Sequence, residues 1–308
     1  MTEVRPVLYP SSDGIHTIHA REWVPDASPR GIVHILHGVA DHMDYYDHVA
    51  RFLCAHGFLV CGGDHLGHGK TAGEGPYGLF AAHDGWTLAT ADVRRLRQIM
   101  TEQHPGLPYI LLGHSMGSFL ARTYVCRYPG EADALILSGT GREPAFLVAL
   151  CKLLTGSLCH LRGPDYVSKA IFALSMGPYN KPFAPNRTPL DWLTRDEAAV
   201  DRAAADPGRT FLPTVSLFRD MMDGLQYISD PKKLAQMDKD TPVYFLSGGK
   251  DPVGAMGKGV EAVAGMFRRA GCRDVTVKLY PDGRHEMFNE LNRQEVLADL
   301  LNWLNAKL

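Results

Sequence analysis

Long hydrophobic runs are missing from this sequence. No apolar stretch among its 308 residues approaches the roughly 20 that a bilayer-spanning helix requires. The opening MTEVRPVLYP has no basic start followed by an apolar core, so it does not read as a secretory signal. Charge of one sign is missing too. With 32 Lys and Arg against 34 Asp and Glu the formal charge is -2, and the basic residues are scattered, which argues against nucleic acid or an acidic surface as partner. Cysteine is sparse: Cys54, Cys61, Cys126, Cys151, Cys159 and Cys272 include no CxxC pair, and most lie among apolar residues, as in RFLCAHG and FLVCGG. They read as buried free thiols of a reducing, cytoplasmic compartment rather than as a disulfide frame. Repeats and low-complexity tracts are absent as well. What remains, 45% hydrophobic and 21% charged, is the composition of a globular chain long enough to bury a full core.

Two alternating stretches, Val4 to Pro10 and His16 to Trp23, flank the turn SSDG and predict an antiparallel hairpin. GIVHILHG (Gly31 to Gly38) and FLVCGG are short apolar runs that stop in glycine-rich turns, the pattern of strands buried on both faces of a parallel sheet. YILL, ADALILSG (Ala132 to Gly139), PVYFLSGGKD (Pro242 to Asp251) and VTVKLY repeat it. Helical spacing lies between them: a segment from Tyr45 to His56 with Val49, Phe52 and Leu53; Trp86 to Glu102 with Leu88, Val93, Leu96 and Ile99; and the stripe Val260, Val263, Met266 and Phe267. The chain closes on NRQEVLADLLNWL, where Asn292 and Glu295 have capping-box spacing.

Strands alternating with helices predict an α/β fold, a mostly parallel sheet with helices on both faces. Residues 141–240 break the rhythm. Helical pieces at Phe146 to Leu161, Asp165 to Leu174, Ala198 to Ala205 and Pro213 to Ile228 surround the proline-rich GPYNKPFAPNRTP, with no strand pattern. The expected organisation is a first core part (1–140), a helical lid insertion (141–240) and a second core part (241–308).

The strongest chemical signal is GHSMG, Gly113 to Gly117, directly after YILL. A serine at the tip of a sharp strand-to-helix turn is a nucleophile elbow, and the flanking glycines are required because side chains there would strike the neighbouring strand and helix. A serine hydroxyl attacks only when a base takes its proton. In this architecture the order along the chain is Ser, acid, His. Of fourteen histidines only His160 and His285 lie downstream of Ser115; His160 falls in the insertion, whereas His285 follows a strand in the loop YPDGRHEM. Asp251, at the end of PVYFLSGGKD, is the expected acid; Glu143 is the weaker alternative, and Asp282 reads as a PDG turn residue. An oxyanion hole needs two backbone N–H groups. Met116, after the nucleophile, and Val39, in the loop HGVADH shaped by His37 and Gly38, are the candidates. DHLGHG (Asp64, His65, His68) and HGVADH (His37, Asp41, His42) have metal-like spacing, yet both are tight turns where such residues bond to backbone; no metal and no organic cofactor is expected.

LHGVADH, DHLGHGKT, HPGLPYILLGHSMGS, the GGKD turn and RHEMFNELNRQEVLADLLNWL run in order over most of the chain outside the insertion. Together they resemble the monoacylglycerol lipase and lysophospholipase branch of the α/β-hydrolases. The resemblance implies that fold with a lid, acyl transfer through a serine, and the same roles for Ser115, Asp251, His285, Met116 and Val39. There are departures. Many relatives carry Arg within the DxRGHG turn, where this chain has Leu66, as monoacylglycerol lipases also have an apolar residue there, and Ser118 follows GHSMG in place of a glycine. Beyond Asp206-Pro207 the insertion shows little of the branch's pattern.

The insertion holds the substrate clue. AFLVALCKLLTGSL (Ala145 to Leu158) and YVSKAIFALSM are rich in large apolar residues, the former too short to span a membrane. Such a lid lines a channel for an acyl chain or rests on a lipid surface. The expected partner is a small lipid-like ester, a monoacylglycerol or lysophospholipid. A monomer or dimer is expected, cytoplasmic or peripheral, with transient contact to a membrane surface through the lid. Three alternatives stand beside it: a short-chain carboxylesterase, an aminopeptidase using acidic lid residues (Glu143, Asp165, Asp191, Asp196, Glu197), and a non-catalytic ligand-binding relative, against which a complete triad argues.

Overall fold

A computed structural model of the chain describes residues 2–308. Eight strands form one sheet: β1 (Glu3–Pro10), β2 (Thr17–Val24), β3 (Ile32–Leu36), β4 (Leu59–Gly63), β5 (Tyr109–His114), β6 (Ala134–Ser138), β7 (Val243–Gly248) and β8 (Val275–Tyr280), in the spatial order β1-β2-β4-β3-β5-β6-β7-β8. β1 and β2 form the expected antiparallel hairpin, β2 is antiparallel to β4, and every other pair is parallel. Helices α1 (Asp47–Ala55), α2 (Gly85–Gln103) and α3 (Met116–Arg127) link the strands from β3 to β6. Between β6 and β7 lie α4 (Ala145–Arg162), α5 (Lys169–Ser175), α6 (Glu197–Ala205), the single turn α7 (Pro207–Thr210), α8 (Val215–Ser229) and the single turn α9 (Pro231–Leu234). α10 (Lys258–Arg269) joins β7 to β8, and α11 (Arg293–Lys307) follows β8.

All residues of β3, β4, β5, β6 and β7 are buried, which is why these strands read as continuous apolar runs. Period two still sorts their side chains. Val33, Ile35, Ile110, Leu112 and Ile136 pack with α1 and α11, whereas Ile32, Leu111, Leu135, Leu137 and Phe245 pack with α2, α3 and α10. Each such side chain contributes about 1.5–3 kcal/mol through the water it sheds. From β3 the chain passes through α1 to β4 on one side, then returns through α2 on the other face to β5 on the opposite side. The loops after β3 and β5 therefore start side by side and diverge, opening a crevice at the carboxyl edge of the sheet.

Three local expectations need correction. The helix expected from Asp165 begins at Lys169, because the Ser168 hydroxyl accepts the Ile171 N–H and caps it there. Asn292 does not close a capping box: its amide donates to Glu295 Oε2 at 2.9 Å and leaves the α11 N–H groups alone. α4 is also longer than the sequence suggests. It continues to Arg162, giving 18 residues of mean hydropathy 1.4, long and apolar enough by composition to cross a bilayer, and about 27 Å at 1.5 Å per residue. Only Val148 and Thr155 of α4 are buried, and its packing partner is α8. All six cysteines are free; four are buried, but Cys151 and Cys159 on α4 are half-exposed.

Candidate active site

Ser115 sits between β5 and α3 at φ 53° and ψ −122°, a conformation that costs a non-glycine residue about 1–3 kcal/mol and survives only where its surroundings over-determine it. Here they do. The Ser115 N–H donates to the Ser138 carbonyl of β6 at 2.9 Å, and the Ser118 N–H and Oγ both return to the Ser115 carbonyl, at 2.8 and 2.6 Å. The flanking glycines are sterically obligatory. A Cβ on Gly113 would lie 2.4 Å from the Gly117 carbonyl oxygen, and one on Gly117 would lie 2.0 Å from that of Leu36. α3 thus leaves the elbow in backbone contact with the end of β3.

That contact sets the β3 loop beside Ser115. His37 is fully buried; its Nε2 accepts the His65 N–H at 2.9 Å, so its proton sits on Nδ1 and is donated to the Gly38 carbonyl at 2.8 Å. Burial, with His65 and His68 beside it, holds this ring well below the usual histidine range and therefore neutral. A Cβ on Gly38 would come within 3.2 Å of the Ser115 Cβ. Val39 and Ser115 line one cavity. Neither the Val39 nor the Met116 N–H donates a hydrogen bond among the described residues.

His285 lies in the loop after β8, 2% exposed, with Nδ1 at 3.0 Å from both oxygens of the fully buried Asp251. Asp251 Oδ1 also accepts the Val253 N–H at 2.9 Å. A carboxylate facing Nδ1 keeps the ring proton there and leaves the Nε2 lone pair free to accept another. The ring packs against Trp192 and His114, with centroids 4.9 and 4.7 Å away. His114 immediately precedes Ser115, so the elbow and the His285 ring share a wall, although no hydrogen bond joins Ser115 Oγ to His285 in this conformation. Among the described residues Glu143 makes no hydrogen bond or ion pair with His285; it lines the cavity, and burial raises its carboxyl pKa. Asp282 is on the surface, paired with Lys250 at 2.9 Å.

The cavity that reaches Ser115 has a volume of about 390 Å3, within the range of small-molecule sites. Leu147, Leu150 and Leu154 of α4, Ile171 and Leu174 of α5, and Phe218, Met222 and Leu225 of α8 are among the apolar side chains of its wall. Glu143 is the only carboxylate among the described residues that line it.

In the turns with metal-like spacing several polar groups bond to backbone or to side chains outside the turns, while Nε2 of His65 and of His68 is buried without a partner among the described residues. Asp64 accepts the Met43 and Lys70 N–H groups, each at 2.8 Å, His68 Nδ1 meets the Leu66 carbonyl at 2.8 Å, and His42 Nε2 meets Asp206 Oδ2 at 2.8 Å. Sequence reasoning missed how the helical segment grips the His285 loop. The Glu286 N–H donates to the Leu193 carbonyl at 2.7 Å, Arg195 Nε donates to Glu290 Oε2 at 2.9 Å, and Arg209 bridges Asp41 and Glu286. Trp192 beside His285 was also unforeseen. No local pattern marks these residues, since each acts on a partner far along the chain.

A family model described as serine aminopeptidase, S33 matches residues 27–292. The chain is 32% identical over 291 residues to a monoacylglycerol lipase of Mycolicibacterium smegmatis, covering 93% of this chain and 92% of the lipase. It is 26% identical to human monoglyceride lipase, with 98% and 93% covered. Among solved structures, a thermostable carboxyl esterase from Bacillus coagulans in complex with glycerol superposes with a TM-score of 0.89 at 30% identity, over 99% of both chains.

Proposed function

The chain belongs to the α/β-hydrolase family described as serine aminopeptidase, S33, and is a serine ester hydrolase; from that premise we propose that it cleaves monoacylglycerols and kindred single-chain lipid esters, with Ser115 as nucleophile, His285 as base and Asp251 as the acid that orients it. Ser115 Oγ attacks the ester carbonyl as His285 Nε2 takes its proton, and the developing oxyanion accepts the N–H groups of Val39 and Met116. His285 then protonates the leaving alcohol, and a water activated by the same ring releases the acid. Asp251 holds the proton on Nδ1 and stabilises the imidazolium. The chemistry asks for no metal or organic cofactor.

The observation that carries the substrate reading is the 390 Å3 cavity at Ser115, walled by apolar side chains of α4, α5 and α8. Residues 141–240 act in this reading as a lid, the acyl chain lying beneath it. An α-amino group would need carboxylates, and Glu143 alone is present on the wall, so the peptide alternative is the weaker. On the outer side of the lid Phe146, Leu153 and Leu161 are 70%, 66% and 74% exposed, which suits transient contact with a lipid surface at a peripheral location.

Initial rates on glycerol monoesters of increasing acyl length test the proposal. The expected rate climbs into medium or long chains and vanishes in Ser115→Ala. Leu153→Asp should slow hydrolysis of vesicle-borne monoacylglycerol and leave soluble butyrate esters untouched. Activity confined to acetyl and butyryl esters would overturn the lipid reading, and full activity in Ser115→Ala would overturn the nucleophile.

A further inference from the structure

Three charged side chains meet in the interior beside the site. Arg209, in α7, donates through Nη1 to Asp41 Oδ1 at 3.0 Å and through Nη2 to Glu286 Oε1, and all three side chains are nearly inaccessible, at 5%, 4% and 6% exposure. The guanidinium lies over the Tyr45 ring, 3.9 Å from its centroid. Both carboxylates are tied further. Asp41 accepts the Tyr46 hydroxyl at 2.8 Å, the His42 N–H at 2.9 Å and, across the turn that holds Val39, the Gly38 N–H at 3.4 Å. Glu286 accepts the Asn289 amide at 2.9 Å and is covalently next to His285.

Burying such a cluster is expensive, and apolar side chains of similar volume commonly hold a fold as well or better. What apolar packing lacks is direction. A guanidinium is a rigid fork that sets two acceptors at a defined separation and angle, which a lysine ammonium, a point donor on a flexible stem, does not. Here one acceptor belongs to the loop carrying Val39 and the other to the loop carrying His285, two segments that arrive from opposite ends of the chain and share no strand pairing of their own. We propose that Arg209 is a positioning residue of the hydrolytic site, holding the Val39 loop and the His285 loop at their working separation through its fork on Asp41 and Glu286. This rests on the roles given to Val39 and His285 above. Arg209 touches neither substrate nor reacting atoms; it acts through the two loops.

The test uses the full-length chain with p-nitrophenyl butyrate, comparing Arg209→Lys, which keeps the buried charge, and the uncharged triple variant Asp41→Asn, Arg209→Met, Glu286→Gln, with His285→Ala alongside. Circular dichroism confirms that each is folded before it is assayed. Removing one oxyanion donor outright lowers kcat by about 100-fold or more, so displacing one is expected to lower kcat by about 10-fold or more at a KM within about twofold. A purely structural arginine would change thermal stability alone. If either folded variant keeps kcat within about twofold while His285→Ala is inactive, the positioning role is wrong and the site reading stands; if His285→Ala itself retains activity, both fall.

Discussion

Replacing Asp251 by Asn changes one atom and leaves the packing alone, yet it should nearly abolish turnover. The carboxylate is fully buried, with both oxygens 3.0 Å from His285 Nδ1. Oδ1 also accepts the Val253 N–H at 2.9 Å, so an asparagine keeps its oxygen on that side and turns its NH2 toward the ring. Nδ1, 3.0 Å from both positions, would then face one donor and one oxygen that it must share with the Val253 N–H. The ring escapes by moving its proton to Nε2, which makes Nε2 a donor and removes the lone pair that the proposed attack by Ser115 requires. The same substitution in a triad of this kind lowers kcat by about 10,000-fold, or roughly 5.4 kcal/mol at 1.36 kcal/mol per decade. Steady-state kcat on p-nitrophenyl butyrate at pH 7, with the melting temperature as a check on folding, measures it. A kcat within about tenfold of the parent would refute the tautomer argument, and a larger loss in Glu143→Gln would transfer the acid's role to Glu143.

Two further outcomes concern the scaffold. In Gly117→Ala the new Cβ meets the Leu36 carbonyl at 2.0 Å, a backbone clash no rotamer relieves; urea denaturation should show a loss of about 1–3 kcal/mol or more, with kcat falling as Met116 and Val39 separate, and an unchanged midpoint would refute the close approach. Asp220 on α8 has a buried oxygen without a partner, and burial pushes its pKa up to about 7 from 3.8. Because the folded state holds this proton more tightly than the unfolded state does, the penalty is absent below about pH 4, grows as pH rises and is complete above pH 7. Asp220→Asn should therefore raise the melting temperature at pH 8, by a few kcal/mol of stability in order of magnitude, with the gain gone at pH 4. A loss at pH 8 that vanished toward acid pH would reverse the assignment, as expected if the nearby α2 N-terminus kept the carboxylate ionised.

Much of the sheet was legible because its inner strands are short, wholly apolar and punctuated by glycine. The elbow was legible for a related reason: the approach of α3 to β3 excludes every side chain at Gly113 and Gly117, so the geometry leaves a mark at fixed spacing. Asp251 and His285 could be picked by chain order and by their place after a strand, and the geometry brings these two into contact at 3.0 Å. The capping-box spacing at Asn292 misled because an exposed side chain had a carboxylate to bond instead of the backbone. The start of α5 was misplaced because one serine hydroxyl outweighed the apolar pattern around it.

By itself the sequence determined what is local and periodic: which segments are buried strands, where the chain must turn sharply, and which residue types stand at those turns. Tertiary structure alone decided which distant groups meet. Trp192 reaches the His285 ring, and Arg209 reaches Asp41 and Glu286, across 93, 168 and 77 residues of chain respectively. The apolar residues of α4, α5 and α8 close on one cavity in the same way. Such contacts depend on how whole elements pack, and nothing in a residue's immediate neighbours records the partner it will find once hydrophobic burial has folded the sheet and drawn the helical segment over its carboxyl edge.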